Sequence, residues 1–189
     1  ADGRPPAASR RVARGLLYAL ALVTGPQQLL RWGARHPRWA CAATVLLVGL
    51  PLVVAAISLL LATTWYPVLD LAMTEFRVRD VGTSHTPLIG LPGRIGTYPN
   101  QGSHPGPLSF YLLAPTYRIF GSSAWGLEAA TVVIHLAAIA VALWLGHRRA
   151  GWRGVLAIGL VLAVVVRGYG QLALTQPWNP YLPLIAWIV

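Results

Sequence analysis

The sequence predicts an all-α integral membrane protein, a polytopic helix bundle with a long outer first loop that contains juxtamembrane helices. Three observations lead there. Of the 189 residues 56% are hydrophobic and only 11% charged, whereas a soluble domain carries about 25% charged residues. The thirty-one residues between Arg38 and Asp70 hold no charge, and about 20 apolar residues in a helix span a bilayer. All fifteen basic residues are arginines, and most sit at the ends of apolar runs.

The arginines orient the chain. Residues 1–38 read as a basic cytoplasmic segment, with seven arginines from Arg4 to Arg38. Arg148, Arg149 and Arg153 mark a second cytoplasmic turn. Loops rich in arginine stay on the cytoplasmic side, which puts the loop containing Asp70 on the outer face of a plasma (inner) membrane. The net charge of +10 is not read as a nucleic-acid signal, because no basic groove or stacking platform accompanies it. The lone Cys41 lies in an apolar run and offers no disulfide framework.

Residues 39–189 are expected to form the membrane domain. Val12–Trp32, flanked by arginines, suits an interfacial amphipathic helix. The first span is about 40–64, and Pro51 is tolerable there because neighbours in a membrane protein re-satisfy the freed carbonyl. Trp65-Tyr66-Pro67 marks the outer interface. The outer loop, 65–123, begins with a helix expected over Pro67–Val81, continues through an irregular Gly/Pro-rich stretch, and returns to helix over Pro107–Phe120. Spans over about 124–146 and 154–174 follow. Arg167 arrives after thirteen uncharged residues, which cover only about 20 Å of a core about 30 Å thick. The helix therefore either stops at Gly168-Tyr-Gly170 or carries Arg167 into the outer half of the membrane. A fourth span is expected to start at Tyr181, and the chain reads as the N-terminal piece of a larger polytopic protein.

The chemistry concentrates in the outer loop. Asp70, Glu75 and Asp80 are three of the five acids in the chain. In a helix Glu75 has Arg79 four residues on, and Asp80 has Arg77 three residues back, which suits both to ion pairs. Asp70 has Met73 and Thr74 at those spacings. It is the acid nearest the membrane mouth and the candidate general base or metal ligand. Its plainer role is a carboxylate at a helix start, where the macrodipole stabilises it. Arg94, Arg118 and Arg167 are outer-side guanidinium groups suited to bidentate contact with phosphate. The sequence specifies no metal site. Asp70 and His104 come closest to offering ligands for a divalent metal ion, and no His-x-x-x-His spacing supports them. Glu128 and His135 fall inside the second span, where ionisable groups lean functional.

An ordered set of segments carries a resemblance. Asp70…Glu75…Arg79, then His104-Pro-Gly-Pro-Leu-Ser-Phe-Tyr-Leu-Leu-Ala, then Tyr117-Arg-Ile-Phe-Gly121 with Ala124-Trp-Gly-Leu-Glu, and Gln176-Pro-Trp-Asn-Pro180, resembles the N-terminal part of C-type-fold membrane glycosyltransferases. The nearest groups are the protein mannosyltransferase and lipid A aminoarabinose transferase relatives. The resemblance spans roughly residues 60–181. It implies an enzyme that moves a sugar from a polyprenyl-phosphate donor in the membrane lipid to a glycan or protein acceptor on the outer face. By position Asp70 matches the catalytic carboxylate of the family's first loop, and His104, Pro105 and Pro107 stand in its Pro-Pro-Leu element. Leu71 departs from the pattern, which often has a second acid there, so Glu75 or an acid elsewhere would have to complete a pair. The alternatives are a polytopic transporter or lipid flippase and a non-catalytic membrane assembly subunit. A transporter concentrates polar residues near the midplane, whereas this chain gathers them in one outer loop.

Overall fold

The computed structural model describes residue 25 and residues 27–62, 66–93, 95–97, 99–104 and 106–188. Most of the basic start of the chain lies outside that set, as do Trp65, Arg94 and Pro105. Of the expected interfacial helix, Val12–Trp32, only residues 25 and 27–32 are described, and these are helical.

The described residues are all-helical apart from turns and one isolated antiparallel bridge, Pro92 with Ser103. Helix α1 is Pro37–Leu61, α2 is Asp70–Asp80, α3 is Leu108–Ile119 and α4 is Ala124–Thr175, followed by a 3-10 turn at Ala186–Ile188. Two helices, α1 and α4, are long and apolar enough to cross a membrane.

Pro37 opens α1, a position where its missing N–H costs nothing. The buried residues of α1 are Ala40, Thr44, Val48, Leu52 and Ala55, a stripe at steps of four and three that lies on one helical face. Large apolar residues off the stripe, among them Leu46, Leu47, Leu50 and Val54, are exposed.

α4 is a hairpin. Ala150 and Gly151 leave helical geometry, with Gly151 at φ 59°, a region that only glycine enters freely. In a straight helix Gly146 and Gly154 would stand about 12 Å apart. Here a Cβ built on Gly146 would lie 2.9 Å from the Gly154 carbonyl oxygen, so the chain reverses and the arms meet backbone to backbone. The first arm, 124–149, and the second, 152–169, occupy the second and third expected spans. The second arm packs back on α1 as well, since a Cβ on Gly159 would collide with Thr44. Val48 and Leu52 of α1 meet Val132, Ile139 and Leu143 of the first arm and Val155, Leu162 and Val166 of the second in one apolar core.

α2 and α3 form a second layer. Val78, Leu91, Phe110, Leu113 and Tyr117 pack against Leu127 and Ala130 at the start of α4. Ser123 caps that start by accepting from Gly126 N–H at 3.1 Å, as N-terminal amides require. Trp125 Nε1 donates to Ala56 O at 3.0 Å and ties α4 to the C-terminal end of α1.

Two boundaries differ from expectation, the start of α2 and the fourth span, and the break after Arg167 falls where one of the two expected outcomes put it. α2 starts at Asp70, three residues after Pro67, because Leu69 adopts φ 52° and ψ −127° and interrupts the helix. The second arm runs past Arg167 and breaks at Gly170, φ 73°, and Arg167 is exposed. The fourth span expected from Tyr181 is not helical over its described part: residues 179–185 are turns and Ala186–Ile188 a 3-10 turn. Pro180 and Pro183 in that stretch remove two amide donors and explain the irregularity.

Candidate functional site

The α2–α3 layer brings together a hydrogen-bonded cluster. Glu75 faces inward from α2 and is buried. Arg79 Nη2 donates to Glu75 Oε1 at 2.7 Å, the expected pair one helical turn apart. Tyr117, from α3, completes it. Its hydroxyl accepts from Arg79 Nε at 2.8 Å and stands 2.6 Å from Glu75 Oε1 and 2.9 Å from Ser122 O. One phenolic proton serves two acceptors, and the shorter contact with the anionic carboxylate wins it. Burial first, and the bond to Glu75 second, push the Tyr117 phenol above its ordinary pKa. The bonds to Tyr117 and Glu75 hold Arg79 in its charged form.

Sequence reasoning found the Glu75–Arg79 pair from its spacing and missed Tyr117, which lies 42 residues from Glu75. No local pattern connects them. The matching Arg77–Asp80 pair does not form among the described residues, and the Thr83 and Thr86 hydroxyls donate to the Asp80 carbonyl at the end of α2. Arg118, beside Tyr117, donates to the Val81 carbonyl and is otherwise exposed. This bond closes α3 onto the end of α2.

Asp70 is the first residue of α2 and is half-buried. It is not isolated within the fold. Asp70 and Glu75 do not form a paired-carboxylate site. Five residues along one helix separate them by about 140° around the axis and about 7.5 Å along it, and Glu75 is committed to Arg79 and Tyr117. Leu69, immediately before Asp70, is one of two non-glycine residues with positive φ among the described residues, Ser122 being the other. Such geometry costs about 1–3 kcal/mol and persists only where the surroundings enforce it.

His104 is exposed, and its backbone does the structural work. His104 N–H donates to Leu91 O at 2.8 Å and Gly90 N–H to His104 O at 3.1 Å, so the two arms of the loop are pinned together. Gly90 is required there, since a Cβ would run into the His104 carbonyl. Pro107 precedes α3 at its N-cap. Among the described residues no three His, Cys, Asp or Glu side chains gather closely enough to hold a metal ion. No step below runs through a metal ion.

Glu128 is buried in the first arm and is not isolated. His135 lies one to two turns further on, fully buried, and its ring nitrogens find no hydrogen-bond partner among the described residues. No protein-family model, curated protein or solved structure matches the chain.

Proposed function

We propose that this chain belongs to a polytopic membrane glycosyltransferase that moves a sugar from a polyprenyl-phosphate donor to an acceptor on the outer face, with Asp70 as the general base. The observation that carries the reading is the setting of Asp70. A strained backbone turn at Leu69 starts α2 at this carboxylate, a few residues beyond an apolar helix long enough to cross a bilayer. Helix α2 is then anchored against α3 by the Glu75–Arg79–Tyr117 cluster. The exposed apolar residues around α1 suit contact with lipid tails, because a solvated face of that extent is rare in a soluble monomer.

A lipid-linked donor cannot leave the bilayer, so the acceptor must meet it at the head-group boundary. Asp70 takes the proton of the acceptor hydroxyl as its oxygen bonds the anomeric carbon. The bond from that carbon to the phosphate oxygen breaks, and the phosphate keeps the electron pair. Guanidinium groups stabilise the departing anion. Arg167, exposed on the second arm, is the described arginine best able to serve, since Arg118 is engaged with Val81. Glu75 acts as a positioning residue through Arg79 and Tyr117.

The experiment is Asp70→Asn in the full-length membrane protein, assayed by consumption of a radiolabelled polyprenyl-phosphate sugar. A general base is worth about 10²–10⁴ in rate, and a loss of that size at normal expression is expected. Retained transfer removes Asp70 from the role.

His135 favours a second reading. An unpartnered imidazole at the centre of an apolar helix, together with the break at Gly170, also suits a transporter or lipid flippase. Movement of labelled lipid across vesicles without consumption of the sugar would select that reading.

A further inference from the structure

We infer that the groove between α1 and the first arm of α4 binds one anionic phospholipid of the cytoplasmic leaflet, its acyl chain along the groove and its phosphate at Arg38 and His147. The inference rests on the membrane placement of the chain and not on Asp70 or on sugar transfer.

The groove encloses a cavity of 660 Å³, within the range of a small-molecule site. Its walls are Cys41, Val45 and Gly49 of α1 and Leu136, Ile139 and Leu143 of the first arm. They repeat every three or four residues on each helix, so they form two facing stripes. At one end a Cβ built on Gly49 would lie 3.6 Å from Leu136, and the helices close together. At the other end the lining changes to Arg38, His147, Trp144 and Trp152.

That polar end is more basic than its lining alone. The Arg148 guanidinium lies 5.6 Å from the Trp144 ring centre and that of Arg153 5.7 Å from the Trp152 ring centre. No acid lines the groove among the described residues. A basic mouth framed by tryptophans on a wholly apolar trough is the complement of an amphiphile with an anionic head, because tryptophan sits at head-group depth and arginine seeks phosphate. The length agrees. The eleven residue-to-residue steps from Leu136 to His147 rise about 16 Å, close to one leaflet of a hydrocarbon core about 30 Å thick. By the arginine distribution this end faces the cytoplasm, so the lipid is distinct from a donor presented on the outer face.

The test is native mass spectrometry of the full chain in detergent, with phosphatidylglycerol or phosphatidylcholine of matched acyl chains added. One phosphatidylglycerol should be retained at least about fivefold better than phosphatidylcholine, the worth of one arginine near an anionic head group. Arg38→Gln should reduce that preference about fivefold. Ala140→Phe, which narrows the groove at an exposed lining position, should weaken retention of both lipids alike. Equal retention of the two lipids by the unaltered chain overturns the inference. So does a preference that neither substitution changes, or a second copy of the chain occupying the groove in place of lipid. The readout is lipid retention rather than sugar transfer, so its failure is separate from a failure of the transferase reading.

Discussion

The three long helical arms and the α2–α3 layer are held together by different means. In the arms, contact is apolar and close: stripes of Val, Leu and Ile meet across α1 and both halves of α4, and glycines at 146, 154 and 159 let backbones approach. In the layer, an apolar patch is joined to a polar lock, Glu75–Arg79–Tyr117, and to backbone bonds that pin loop segments. On the proposed membrane placement, the difference marks where water is. Without water, hydrophobic transfer contributes nothing between helices and small residues that allow close packing take its place. At a wet boundary, apolar burial and a satisfied polar network act together.

The largest test of this contrast compares one substitution in two places. Leu113→Ala in the layer, where Leu113 is fully buried, should cost about 2–5 kcal/mol, the transfer and cavity terms together. Leu162→Ala in the arms, equally buried, should cost less than half as much, because lipid tails are as apolar as leucine and only the packing term remains. Reversible unfolding in bicelles measures both, and equal losses would break the comparison.

A smaller effect sharpens it. Tyr117→Phe removes the hydroxyl between Arg79 and Glu75 and should cost about 1 kcal/mol. Glu75→Gln should cost somewhat more, and the double variant should lose less than the sum, because the two side chains share one network. Additive losses would mean that Tyr117 and Glu75 are not coupled.

The smallest effect is in pH. The Tyr117 phenol is raised above its ordinary value of 10.0, so the folded state holds that proton more tightly than the unfolded chain. Its contribution is complete below pH 10 and is lost as pH rises through the folded value. The melting temperature should therefore fall more steeply above pH 10 in the unaltered protein than in Tyr117→Phe. Identical slopes would remove the phenol as the cause.

Much of the architecture was legible beforehand. The uncharged run after Arg38 foretold α1, and the run from Ala124 with the arginines at 148–153 foretold a hairpin that turns there. The helical step from Glu75 to Arg79 foretold the ion pair. Other features had no local signature. Nothing near Leu69 announces a positive φ, so local pattern alone starts α2 at Pro67, three residues before its true start at Asp70. Pro180 and Pro183 carry the local signal for irregular backbone there, and the apolar composition of Tyr181–Val189 masks it.

Composition and periodicity alone determined that this chain is helical, which stretches are apolar enough to cross a bilayer, and which acids stand together between the first two of those stretches. All three are properties of neighbours in sequence, because helical spacing and hydropathy act over a few residues. Tertiary structure alone decided that Tyr117 locks Glu75, that Asp70 and Glu75 diverge on one helix, and that an apolar trough ends at Arg38 and His147. Those outcomes depend on which helix faces meet, and packing sets that between segments too far apart in the chain for any local pattern to record.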